Sequence, residues 1–204
     1  MGLDSLSLAH IKKDVYARPQ LIGVVKGLDQ ADLMQQFQAK KGDFITAFKA
    51  LEIEQTQQRF KRSLNQEKGI ENLLGVGLDI PSAYRLGMHT ESFAWIDRAI
   101  PSGSSNIIAY ALPYNSFNSP DTFIEDIVAA RDSVVKIHIP GPDVPGKTTY
   151  MKTETVFMPY VTPAEIAGYK GVEIRGIWDI QNYPMAGPFV AYILNDPDQD
   201  RKIV

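Results

Sequence analysis

The stretch Gly141-Pro142-Asp143-Val144-Pro145-Gly146-Lys147-Thr148 has the spelling of a phosphate-binding loop, G-x-x-x-x-G-K-[ST]. Such a loop cradles phosphate oxygens with backbone N–H groups and sets its lysine on the outer phosphates. It needs a strand before it and a helix after it, because the free N–H groups and dipole of the helix start complete the site. Here the order is reversed. "VVKIHI" continues a helical pattern that begins near Ser119, and "TTYMKTETVFMPY" is rich in β-branched and aromatic residues. Pro142 and Pro145 have no N–H to donate. No apolar strand ends in an aspartate suited to magnesium, since Glu173 and Arg175 interrupt "EIRGIWD". The segment reads as a proline-stiffened connection from helix to strand, with sharp turns at Gly141 and Gly146. Nucleotide binding there is the least favoured function, and no cofactor is expected.

A second group of residues lies in "VEIRGIWDIQNYPMAGPF". If this alternates as a strand, Glu173, Arg175, Ile177 and Asp179 share one face, and Val172, Ile174, Gly176, Trp178 and Ile180 share the other. Arg175 then stands between Glu173 and Asp179 and can bridge both. Paired carboxylates do acid–base work in glycosidases, and an arginine clamps anionic ligands. Trp178 and Tyr183 offer rings for stacking on a sugar, and Asn182 opens the turn-rich loop "NYPMAGPF". Glu173, Arg175, Trp178, Asp179, Asn182 and Tyr183 are therefore the candidate binding residues of a hydrolase or glycan-binding protein. The blander account is favoured: a solvent-facing row of ion pairs on an amphipathic strand, with the aromatic rings in the core.

Other chemistries find little support. The chain has no cysteine, so thiol nucleophiles, disulfides and thiolate metal sites are excluded. Its three histidines, His10, His89 and His138, stand far apart, without the spacing of a metal site. No serine occupies a G-x-S-x-G elbow. No catalytic residue and no metal ligand is assigned, and the protein is expected not to be an enzyme. A net charge of -3 and one short basic cluster, Arg59 to Ser63, argue against nucleic acid, which needs several phosphates neutralised at once. No apolar run approaches the roughly 20 residues of a membrane-spanning helix.

The elements that must position these residues follow from periodicity. Residues 18–27 are rich in branched side chains and read as a strand. Asp29 can cap a long helix whose apolar positions recur from Leu33 to Phe60, with Gly42 as a point where it can divide in two. "EKGIENLLGVG" adds a short helix stopping at Gly75 or Gly77. Strands follow near residues 84–88, 92–100 and 104–114, the last two apolar on both faces and so central. Ser119, Pro120 and Asp121 open a helix whose stripe is Ile124, Ile127, Val128, Arg131, Val134, Val135 and His138. Strands are expected over 149–160, 171–180 and 187–194, with Pro163 starting a helical turn between the first two. The fold class is α+β, a mainly antiparallel sheet packed against helices. The expected organisation is a strand plus helix-rich part over 1–77 and a strand-rich part over 78–204, with one long helix near 120–138.

"KDVYARPQ", "FIEDIVAARDSVVKIHIPGP" and "EIRGIWDIQNYPMAGPFVAY", taken together and in order, resemble an uncharacterised bacterial envelope family of unknown function, often described as lipoproteins. The resemblance runs from about Lys13 to Val204. It implies export to the periplasmic side or the outer membrane, with a lipid anchor on a segment outside this sequence. It also implies a chain trimmed at both ends. It makes the Lys147-Thr148 spelling incidental, and it supplies no activity and no site residues. The expected function is a non-enzymatic envelope binding or interaction protein, with an envelope protein or a glycan as partner.

Overall fold

The computed structural model describes residues 8–117 and 119–204, which form two compact units. In the first, Leu8–Lys13 (β1) and Leu21–Lys26 (β2) pair as an antiparallel hairpin with Lys13 opposite Leu21. Asp14 closes the connection: its N–H donates to the Gln20 carbonyl at 2.8 Å, and its carboxylate accepts from the Gln20 N–H at 3.0 Å. β2 is the strand expected over 18–27. β1 gives little sequence signal, because "LAHIKK" is short and half polar.

Gln30–Phe60 (α1) is one continuous helix of 31 residues. Asp29 caps it, its side chain accepting from the Asp32 N–H at 2.8 Å. Gly42 does not divide it. A glycine in a helix costs only about 1 kcal/mol relative to alanine, and the helix formers on both sides outweigh that. The apolar residues have helical spacing but no single buried stripe. Phe44 is buried, with Phe48 stacked on it at 6.3 Å, and a Cβ on Gly23 of β2 would stand 3.3 Å from the Phe48 ring. Leu33, Met34, Phe37, Ile45 and Ile53 remain exposed.

The second unit is built on an eight-stranded antiparallel sheet. Its strands are Arg85–His89 (β3), Phe93–Ile100 (β4), Gly103–Pro113 (β5), Met151–Thr153 (β6), Tyr160–Ile166 (β7), Tyr169–Ile180 (β8), Tyr183–Asp196 (β9) and Arg201–Ile203 (β10). They run in the order β3-β4-β5-β10-β9-β8-β6, and β7 also pairs with β8. The fold class is therefore α+β, as its sequence pattern implies.

The central strands are apolar on both faces because helices cover both. Phe93 and Tyr110, opposite each other on β4 and β5, pack with Val135 and Ile139 from and just after Phe123–His138 (α3). The other face carries Ala94, Ile96 and Ala109, and Gly69–Leu74 (α2) packs against β4 and β5 there with Ile70 and Leu74 buried. This packing moves the division of the chain. The first unit runs to Leu64 and takes back Asp79–Pro81; the second holds Asn65–Leu78 and Ser82–Val204. The sequence boundary near Gly77 marks where strand-forming residues begin, but α2 already belongs to the sheet.

Several local expectations change. Ser119 makes no side-chain cap, and residues Pro120–Thr122 form a 3-10 turn before α3 starts. Pro163 starts no helical turn. It sits in β7 opposite Val172, on a strand paired only with β8, where a missing N–H is tolerated. "NYPMAGPF" is not a loop, since β9 begins at Tyr183. Its prolines are accepted because β10 pairs only with residues 194–196 of β9. At the far edge, the Leu86 N–H of β3 donates to Glu67 Oε2 at 2.6 Å and Asn65 Nδ2 donates to the Tyr84 carbonyl at 2.5 Å. Those side chains occupy backbone groups that an open edge would present to another strand.

Candidate functional site

β8 alternates as its sequence implies. Ile174 is buried against Ile127 of α3 and Ile193 of β9, so Val172, Ile174, Gly176, Trp178 and Ile180 take the helix-covered face. Glu173, Arg175, Ile177 and Asp179 take the opposite one. The six candidate residues are thus divided. Trp178 lies on the far side of the strand from the three charged groups, half-buried over Gly187, where a Cβ would stand 2.8 Å from its ring. Asn182 occupies the β8–β9 turn at φ +62°, and its Nδ2 donates to the Thr148 carbonyl at 2.9 Å. Tyr183 pairs across that turn with Ile180.

The charged row is also split. Arg175 Nε stands 2.5 Å from Glu173 Oε1, and the Tyr192 hydroxyl donates to Glu173 Oε2 at 2.8 Å. The Arg175 hydrogen bond, then that of Tyr192, holds the Glu173 carboxyl below its ordinary range, and the same bond to Glu173 raises Tyr192. Arg175 does not bridge to Asp179. Asp179 instead faces Lys152 of β6, with Oδ2 3.6 Å from Nζ. Six residues apart on one extended strand, the two carboxylates stand roughly 20 Å from each other, well beyond the roughly 5–9.5 Å of a pair that shares one acid–base reaction.

A different surface stands out beside this row. Residues 149–160 do not form the single strand expected from their β-branched content: β6 ends at Thr153, and the chain re-enters the sheet at Tyr160. In between, the Glu154 carboxylate accepts from the backbone N–H groups of Val156 at 2.7 Å and Phe157 at 3.1 Å. Those bonds, that of Val156 foremost, hold the Glu154 carboxyl below its ordinary range. They also fix the loop with Val156 80% and Phe157 70% exposed, followed by Met158 and Tyr160. Tyr160 pairs with Arg175, which pairs with Val190, so an exposed tyrosine, arginine and valine form a cross-strand row next to the loop. Periodicity marks these residues as strand. Only Pro159 and the Glu154 carboxylate two residues before Val156 hint at a turn.

The residues 141–148 lie outside any phosphate site geometry. α3 ends at His138, and no helix follows Thr148 before β6. The Gly141 N–H donates to the Thr149 carbonyl, and the Lys147 N–H to that of Val144, so the segment closes on itself as a small hairpin. Gly146 sits at φ +72°, while a Cβ on Gly141 would stand 2.5 Å from Ile180.

Behind the sheet, Arg131 of α3 is buried in the stripe where an apolar residue is usual. Its Nη1 donates to Thr153 Oγ1 at 2.8 Å and to Asp132 Oδ1 at 3.2 Å. Burial lowers its pKa, and Asp132 opposes that. The space between Arg131, Tyr110, Thr153 and Phe189 is about 10 Å³, room for one water, so the arginine is a structural tie and not a ligand site. His138 stacks on Phe93 with ring centroids 4.1 Å apart, a packing role. Among the described residues no group of acidic or histidine side chains is arranged to hold a metal, and no helix is long and apolar enough to cross a membrane.

Fold and surface together define an α+β sheet protein with an exposed apolar loop braced by Glu154. Residues 63–204 match the model of the family described as Domain of unknown function (DUF4837), and the chain belongs to that family. Residues 2–61 match a second model, Domain of unknown function (DUF8532). The two matches meet beside the division at Leu64 and Asn65. No curated protein and no solved structure matches the chain.

Proposed function

We propose that the protein is a non-enzymatic interaction protein of the bacterial cell envelope, and that the loop 154–160 with the Tyr160-Arg175-Val190 row is where it contacts another envelope protein. The observation that carries this is the Glu154 clasp, which holds Val156 and Phe157 in water in a defined shape. Exposed apolar side chains that pack on nothing cost solvation, and a bracing carboxylate preorganises them for a partner. Phenylalanine, methionine, tyrosine and arginine are also the residues enriched at protein contacts. The mixed charge of Arg175 and Glu173 favours a protein surface over a lipid one. Export and anchoring by a lipid rest on the family resemblance. The test is a photoreactive side chain at position 157 in the native host. A discrete adduct with another envelope protein supports the reading; adducts with lipid alone, or none, sink it.

A further inference from the structure

A second concave site lies at the other end of β8 and β9. Gly75 and Val76, just after α2, face Tyr169 at the start of β8, Asp196 at the end of β9, Asp198 and Gln199 in the following turn, and Arg201 of β10. They border an open hollow of about 400 Å³, within the roughly 300–1,000 Å³ of small-molecule sites. The wall is mostly polar, unlike that of a site for an apolar ligand.

Its floor is fixed. Arg201 Nε stands 2.9 Å from Asp196 Oδ2, and Nη2 donates to the Leu74 carbonyl. Asp196 is 4% exposed. The floor is therefore a locked, neutral pair that presents guanidinium N–H groups without a free charge. Asp198, Gln199 and Tyr169 stand on the wall, and their side chains make no hydrogen bond or ion pair among the described residues. Their free groups are an acceptor-only carboxylate, an amide that donates and accepts, and a phenol. The Asp198 carboxylate repels an anion, and with Asp196 already paired to Arg201 a single exposed carboxylate holds a cation only weakly. What remains is a neutral ligand with several hydroxyls, whose O–H groups donate to Asp198 and accept from Gln199 and Arg201.

We infer that this cavity binds a neutral sugar residue, of the size of one hexose or N-acetylhexosamine within a glycan. It is independent of the loop at Phe157 and goes beyond the protein contact proposed there. The test uses the full chain labelled with nitrogen-15, titrated with glucose, galactose and N-acetylglucosamine. Arginine methyl ester and citrate serve as charged controls. The site predicts saturable shifts of the Gly75, Val76 and Gln199 amides with at least one sugar and with neither control. Asp198→Ala and Gln199→Ala should each weaken that binding about tenfold, the loss expected for hydrogen bonds to and beside a charged group. Both side chains are exposed and without partners among the described residues, so both variants should keep the parent Tm. No saturable shift with any of the three sugars, shifts centred elsewhere, or tighter binding of either charged control would overturn the proposal.

Discussion

The guanidinium of Arg131 lies over the ring of Phe189, 4.2 Å from its centroid. The contact ties α3 to β9 through a charged group whose other partners, Thr153 and Asp132, come from β6 and from α3 itself. Arg131→Ala should therefore destabilise the protein by roughly 2–4 kcal/mol in urea unfolding, because it leaves Asp132 and Thr153 short of a donor and opens a gap over Phe189. Arg131→Met keeps the packing over the ring and should cost clearly less. Equal losses would show that the charge alone holds the contact.

That arginine also shows how far the sequence could be read. Its place in the stripe Ile127-Arg131-Val135 was legible from three-four spacing. Its burial was not, because the acceptor on Thr153 comes from a strand 22 residues on. The alternation of β8 was likewise legible, since a period of two needs only local residues. Whether Arg175 reaches Asp179 was decided by Lys152, which another strand supplies. The strand course of "NYPMAGPF" was hidden by its prolines. They are tolerated only because β10 is short, and local sequence cannot report the length of a neighbour. The loop at Phe157 was masked by residues that favour strands, and it leaves the sheet because Glu154 satisfies its N–H groups.

Burial pushes the Tyr110 hydroxyl from its ordinary 10.0 up to about 12, against the opposing charge of Arg131. The unfolded chain releases this proton near 10 and the folded chain only near 12. Between the two the unfolded state binds fewer protons, so stability falls as pH rises, by at most about 1.4 kcal/mol per unit. Tyr110→Phe should flatten this alkaline limb in guanidinium unfolding measured across the window. An unchanged slope would assign the loss to other groups.

Glu154 gives an acid-side counterpart. Its carboxyl is held below the ordinary 4.5 by the N–H groups of Val156 and then Phe157, so the clasp is intact above that value and released as pH falls through the lower folded one. The Val156 and Phe157 amide resonances should move together on that titration. Glu154→Ala should give the same loop signals at neutral pH with little change in Tm. Amides that ignore both treatments would mean that the clasp does not shape the loop.

The hairpin at 141–148 separates spelling from geometry. Gly141→Ala puts a Cβ against Ile180 and Thr149 and should cost about 1–3 kcal/mol by overpacking. Lys147→Ala should leave stability within about 0.5 kcal/mol. Mg-ATP and Mg-GTP at millimolar concentration should leave the Tm unchanged, because nucleotide bound to the native state must raise it by mass action. A rise abolished by Lys147→Ala would restore the phosphate-loop reading.

On the proposed function, Val156 and Phe157 are held out for a protein partner. Photo-cross-linking in the native host tests this most directly, with the reactive side chain at Phe157 and, as a control, at exposed Ser102 in the β4–β5 turn on the other side of the sheet. One discrete protein adduct is expected from position 157 and none from 102. The adduct should also fall several-fold when Glu154→Ala is combined with the probe. Equal labelling from both positions, or an adduct from 157 that is indifferent to Glu154, would contradict the proposed function.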